Sequence, residues 1–307
     1  MHSLVSANRA GILTYGITPP KQSYTPERLA EVARQQTARI GQLPIDALVI
    51  YDIQDESLRT DAPRPFPYLP SVDPAEYAFH ALSGLNLPKV VYRSVASITR
   101  TQLSETLRLI AAHDSLVVLV GAASRLQTAP LTLHETYALA RDSHPALPVG
   151  GVLIAERHEQ RHNEHERALI KMDTGCRFFI SQAVYSVAAS KNLLSDFYYR
   201  CQAEERPMPP VLVTLSPCGS LKTLEFMRWL GVSVPRWLEN DLRHARDILQ
   251  TSIKVCADVL EDLHDFALTR GIPLGYNIES VSLSKVEIEA SVELVRLAAR
   301  TLDRRVQ

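Results

Sequence analysis

Three polar residues in a row, Glu156-Arg157-His158, follow directly on the apolar segment 149–155, VGGVLIA. Gln182 holds the corresponding place after a second apolar segment, 176–181. Tyr51 and Asp52 close another such run, Arg93 a further one and Ser216 a third, while Asn277 and Glu279 alternate with apolar residues in the last. These side chains suit work on a small molecule. A carboxyl such as Glu156 or Asp52 becomes a general acid when burial disfavours its charged form. Histidine has an ordinary titration range suited to proton transfer at neutral pH, which makes His158 a candidate for the same role. Arg93 and Arg157 offer paired N–H donors that can clamp a phosphate or carboxylate. Gln182 carries both a donor and an acceptor, which fits the edge of a pterin-like or flavin-like ring.

Residues so far apart in sequence act together only if the fold gathers them. The apolar runs are short, rich in Val, Ile and Tyr, and separated by helix-like segments. Strands are expected over 11–17, 46–51, 89–94, 116–121, 149–155, 176–182, 210–215 and 274–281. Thr25-Pro26 is a strong helix start, since Thr caps free N–H groups and Pro tolerates the first helical position. Leu29, Val32, Ala33 and Ile40 then form its apolar stripe. Further helices are expected over 101–113, 132–141, 164–174, 186–202, 221–230 and 285–302, with one starting at Asp73-Pro74. An extra helical block spans 235–270, and 156–163 reads as a polar loop.

This alternation points to a single (β/α)8 TIM barrel over 1–307, with the extra block before the eighth strand. An open doubly wound sheet is the rival. It normally carries a Gly-rich phosphate turn after its first strand, where this chain has Thr18-Pro19-Pro20. In a barrel, the residues named above fall at the C-terminal ends of the strands, the face where barrel enzymes keep their active sites. Asn277 and Glu279 share a parity, so both point inward or both outward.

The bulk composition narrows the partners. The 307 residues are 46% hydrophobic and 22% charged, with a net charge of −1. No strong field favours nucleic acid or an anionic membrane. No apolar run approaches the roughly 20 residues of a membrane span, and the N-terminus lacks a signal-peptide core, so a cytoplasmic protein is expected. The four cysteines have no CxxC pair and read as reduced, buried thiols. His158, His162 and His165 are potential metal ligands by residue type, but Arg157, Arg161 and Arg167 stand among them. No metal site is expected there.

The order of several phrases resembles methylenetetrahydrofolate reductase, whose catalytic domain is a barrel of about this size. Thr18-Pro19-Pro20-Lys21 is similar to a Phe-Pro-Pro-Lys phrase of that family. Lys171-Met172-Asp173-Thr174-Gly175-Cys176-Arg177-Phe178, followed by Ser181-Gln182, is similar to Lys-Val-Asp-Ala-Gly-Ala-Asp-Phe followed by Thr-Gln. The run 230–238, LGVSVPRWL, and Gly271-Ile272-Pro273 also fit. The departures are as informative. Gly16 stands where the family has the Glu that serves as acid for the folate. The fourth strand ends in Val120-Gly121-Ala122 instead of Arg-Gly-Asp, whose Asp faces pterin and flavin. The Gly-rich flavin turn is replaced by Tyr51-Asp52-Ile53-Gln54-Asp55-Glu56.

The resemblance implies an oxidoreductase acting on a CH–NH group, passing hydride to a folate-linked one-carbon unit or a related substrate, with FAD or NAD(P)H as donor. Glu156, Asp52 or Glu279 would replace the missing acid. Gln182, Arg93, Tyr51 and Asn277 are the substrate-binding candidates. Arg157, His158, Lys171 and Ser216 are the cofactor-binding candidates. Each has a plainer alternative: Arg157 and Glu156 can pair as a rim salt bridge, and Lys171 can be a solvated helix residue. The chain can also be a non-catalytic barrel that binds a ligand or a partner subunit, a homo-oligomer included, or an enzyme with a different small-molecule substrate.

Overall fold

Runs of β-branched residues that are apolar on both faces can be satisfied only by a parallel sheet covered on both sides. The computed structural model shows how this chain does it, and it describes residues 1–56, 60–96, 98–122 and 129–303. Eight parallel strands close into a barrel in chain order: β1 (Leu13–Ile17), β2 (Ala47–Ile50), β3 (Lys89–Ser94), β4 (Leu116–Val120), β5 (Val149–Leu153), β6 (Cys176–Ala183), β7 (Val211–Leu215) and β8 (Leu274–Glu279). β1 pairs with both β2 and β8, which closes the ring. The barrel is as the alternation required, and the open sheet is excluded.

Strand parity divides the core in two. Ala47, Val49, Val90, Tyr92, Leu116, Val118, Phe178, Ile180 and Leu212 fill the lumen. The alternate residues, such as Leu13, Tyr15, Leu48, Val91 and Phe179, pack against the helices. The lumen is tight at its waist. A Cβ on Gly150 would lie 2.5 Å from the Phe178 ring, so the VGG phrase is what admits that ring. A short helix, α1 (His2–Ser6), packs Met1, Leu4 and Val5 against the lumen cluster. Its His2 ring contacts the Ser115 carbonyl just before β4, so it plugs the N-terminal end. The sequence had given no reason to expect that plug.

The outer helices follow their caps. α2 (Pro26–Ile40) starts on Thr25, whose side chain accepts the Arg28 N–H. α3 (Pro74–Glu76) starts on Asp73 and runs on as a wider turn to Ala81. α4 (Arg100–Ala112) and α5 (Leu133–Ser143) both begin with full capping boxes, Thr99/Gln102 and Thr132/Glu135. The extra block is two helices, α10 (Arg236–His244) and α11 (Ile248–Leu268), placed after α9 (Leu221–Trp229). α12 (Lys285–Thr301) closes the ring against α11 and β8.

One expectation is corrected. The segment after β5 is a helix, α6 (Ala155–Arg161), rather than a polar loop. Its residues are good helix formers, and the helix stops only where His162 takes a left-handed conformation, φ 51°. α7 (Glu164–Asp173) follows at once and α8 (Val187–Ala203) packs beside both. Polarity in this stretch reflected an amphipathic outer layer, with His158 and Ala155 turned inward.

Candidate active site at the C-terminal mouth

The register of β1 against β8 sets the centre of the mouth. Thr14 lies beside Asn277 and Gly16 beside Glu279, and all four face the lumen side. Asn277 is fully buried and fully engaged. Its Oδ1 accepts from the Thr14 hydroxyl (2.9 Å), and its Nδ2 donates to the Tyr51 hydroxyl (2.7 Å) and to the Thr214 hydroxyl (3.2 Å). The Tyr51 hydroxyl also interacts with the Glu279 carboxyl. The Tyr51 ring meets Tyr92 edge to face at 4.8 Å. The alternation of Asn277 and Glu279 with apolar residues resolves to the inward choice for both.

Glu279 is half-buried at the top of β8. Desolvation pushes its pKa up to about 7, against the smaller, opposite pull of the Tyr51 hydrogen bond. A carboxyl so placed is protonated in a large share of molecules at neutral pH, which is what a general acid needs. Tyr51 and Tyr92 are themselves pushed far up, mainly by burial and then by Glu279, so both phenols stay protonated.

Gly16 is what gives this carboxyl its place. A Cβ at Gly16 would lie 2.8 Å from the Tyr51 ring and 3.2 Å from the Glu279 Cβ. A side chain on β1 is thus incompatible with the Tyr51–Glu279 pair as it stands. Of the three acids expected from sequence, Glu279 is the one set beside Gly16.

The other two acids lie elsewhere on the same face. Asp52, just past β2, accepts from the Ser94 N–H and from Gln54, both at 2.8 Å, and stands 3.9 Å from Arg93. Burial raises its pKa, with Arg93 opposing. Glu156, in the first turn of α6, accepts the Ser233 N–H at 3.1 Å, and burial also raises its pKa. It forms no rim salt bridge with Arg157. Arg157 instead pairs with the buried Glu164 on α7 through two contacts of 3.0 and 2.9 Å.

Several candidates face the helix layer rather than the mouth. Arg93 is on the outward parity of β3. It binds Asp73 at 2.8 Å and lines a cleft beside α3 and α4. Lys171 is neither solvated nor in the lumen. Its ammonium donates to the Val152 carbonyl (2.6 Å) and stacks over Phe179. His158 bonds Asp196 on α8 at 3.0 Å. Ser216 is buried and accepts the Val281 N–H at 3.3 Å, a strand-end tie. Gln182 is at the rim and donates to the Leu230 carbonyl at 2.6 Å, holding the turn after α9 whose Ser233 meets Glu156.

Above the mouth lies a cavity of about 460 Å³, within the usual range for a small-molecule pocket. Its walls include Thr18, Ile53 and Val281, each two residues beyond Gly16, Tyr51 and Glu279. Phe66 and Phe226 add aromatic faces, and Lys21 and Arg64 bring positive charge. The loop after β1 is locked to residues 70–72: Lys21 bridges Ser71, the Gln22 N–H donates to Pro70 and the Val72 N–H to Pro20. Arg64 lies over the rings of Phe226 (5.1 Å) and Trp229 (5.4 Å), and the Trp229 indole donates to the Ala62 carbonyl. The stretch 52–70 is a long connection rich in Asp, Arg and Pro, and its residues 57–59 lie outside the described ones. The paired prolines and the cluster Arg64, Phe66 and Tyr68 were the available signals.

The residues do not fit a flavin. Ala122 offers no carboxylate where the resemblance implies one, Arg157 and His158 are held by Glu164 and Asp196 of neighbouring helices, and Lys171 is held by the Val152 carbonyl of β5. Fold and geometry define a single (β/α)8 barrel with a half-buried acid at its mouth and an aromatic, cationic cavity above it. No family model matches the sequence, and no curated protein matches it. Among solved structures, the chain is 43% identical to an uncharacterized protein from Clostridium thermocellum that binds two copies of 5-methyl-5,6,7,8-tetrahydrofolic acid. The match covers 95% of this chain and 96% of that one with a TM-score of 0.85, and this chain belongs to the same family. A tryptophan synthase from M. tuberculosis shares the fold alone, at 12% identity and a TM-score of 0.53 over 98% of this chain and 96% of that one. Among the described residues, no helix is long and apolar enough to cross a membrane.

Proposed function

We propose that this chain binds a reduced folate at the C-terminal mouth of its barrel, with Glu279 as the acid that meets the pterin. The observation that carries this reading is the Tyr51–Glu279 pair beside Gly16, a protonatable carboxyl standing next to the position where the resembling family keeps its folate acid. Asn277 holds the Tyr51 hydroxyl, and Tyr51 in turn meets the carboxyl, which is left to address a nitrogen of the folate. The cavity beyond Thr18 and Val281 suits the rest of a folate. Phe66 and Phe226 match an aromatic linker, and Lys21 and Arg64 match a carboxylate tail. The binding of 5-methyltetrahydrofolic acid by the Clostridium thermocellum relative supports the same ligand class.

The reaction we infer is the one the resemblance implies: reduction of a folate-linked one-carbon unit, in which Glu279 gives its proton to N10 as the N10–CH2 bond breaks and hydride adds to the carbon that stays on N5. No step through flavin is drawn, since the residues do not fit it. A nicotinamide would supply hydride directly. A second reading, a carrier that holds the methylated folate without turning it over, is favoured by Ala122, which leaves the mouth without the second family carboxylate.

Calorimetric titration of the purified chain with 5-methyltetrahydrofolate tests the binding, and NAD(P)H oxidation with methylenetetrahydrofolate tests the reaction. Binding with turnover supports the reductase; binding without turnover supports the carrier. No binding, or binding unchanged in both Glu279→Gln and Tyr51→Phe, overturns the proposed site.

A further inference from the structure

His158, His165 and Asp196 come from three consecutive helices, α6, α7 and α8, and converge on the outer side of the barrel. One ligand atom from each lies within 4.8 Å of the others. His158 Nε2 stands 3.0 Å from an Asp196 oxygen, and the His158 and His165 rings are 5.3 Å apart, centroid to centroid. His158 is only 1% exposed, and Nδ1 of each histidine is buried without a hydrogen-bond partner. An unpaired buried imidazole nitrogen is costly, and hydrogen bonding within the trio does not remove that cost. Asp196 is about half exposed, so the cluster is open to solvent on one side.

The arginines that made a cation look unwelcome in the sequence are otherwise engaged. Arg157 and Arg167 are both held by Glu164, Arg200 is held by Glu204, and Arg161 is turned to solvent. The backbone is ordered helix, not loop.

We propose that these three residues form a site for a divalent transition metal of zinc type. Two imidazoles and one carboxylate are a donor set that Zn²⁺ accepts, with water completing a tetrahedron. The metal would clasp α6 to α7 and α8, and so fix the helix whose first turn presents Glu156 to the Ser233 turn.

The test uses the tag-free full-length chain, stripped with chelator and titrated with Zn²⁺ by calorimetry, with bound metal counted by elemental analysis. One equivalent is expected, together with a rise in melting temperature. The more exposed ligands provide variants that should still fold. Asp196→Asn and His165→Gln should each weaken Zn²⁺ at least about tenfold, while His80→Gln, in the α3 turn, should leave it unchanged. Co²⁺ substitution should give the absorption bands of a tetrahedral nitrogen–oxygen site. No stoichiometric Zn²⁺ at micromolar concentrations, or binding that survives both Asp196→Asn and His165→Gln, overturns the site.

Discussion

Gly16 and Glu279 are register partners on neighbouring strands, with the Glu279 Cβ 3.2 Å from where a Gly16 side chain would begin. The empty position on β1 and the carboxyl on β8 are therefore one feature. Removing a side chain from one strand makes room for an acid delivered by the next, and Tyr51 fills the remaining space and orients that acid.

Glu279 should control a pH dependence. Its carboxyl holds its proton up to about pH 7 in the folded chain, against a usual value near 4.5. Ligand binding that uses the protonated form should weaken as pH rises through 7, and Glu279→Gln should flatten that profile. The folded state binds the extra proton between these two values, so stability falls as pH rises across the same window. The full effect is on the order of 3 kcal/mol at most. Chemical denaturation at pH 5 and pH 8 should show a smaller difference for the variant.

Gly16→Ala should disturb the site as well as the fold. The new methyl meets the Tyr51 ring at 2.8 Å. Overpacking of this kind costs about 1–3 kcal/mol, and displacement of Tyr51 should weaken folate binding at least tenfold by about the same energy. Thermal melts and calorimetry read the two effects separately.

Lys171 should matter for stability and not for the ligand. It is half-buried outside the lumen, and desolvation lowers its pKa. Lys171→Ala leaves the Val152 carbonyl without its donor and should cost about 1–3 kcal/mol. Folate affinity should stay within about twofold, since Lys171 has no contact with the mouth. A large loss of affinity with unchanged stability would place it in the site after all.

Glu164→Ala should be the most damaging of the four. Its fully buried carboxylate ties Arg157, Arg167 and the Ile154 N–H. Breaking a buried pair by removing one partner costs about 3–5 kcal/mol. A melting-temperature shift of less than a few degrees would show that this network is dispensable.

The barrel was legible because eight βα units leave few other ways to bury doubly apolar strands. The extra helices before β8 were legible from the length of 235–270. The polar residues at strand ends were legible as candidates, since a barrel gathers such ends on one face. Their directions were not. A shift of one residue turns a side chain from lumen to helix layer, and the precise ends of β2, β3 and β5 decided Tyr51, Arg93 and Arg157. The helix over 155–161 was missed because amphipathic polarity next to a strand looks like a loop.

The sequence by itself determined the class of fold and placed Gly16 where the resembling family carries an acid. Only the tertiary structure decided that Glu279, of three possible acids, stands beside that gap, and that His158 meets His165 and Asp196 away from it. The physical reason is that register and strand parity bring together residues hundreds of positions apart, and no local pattern in the chain records which residues will become neighbours.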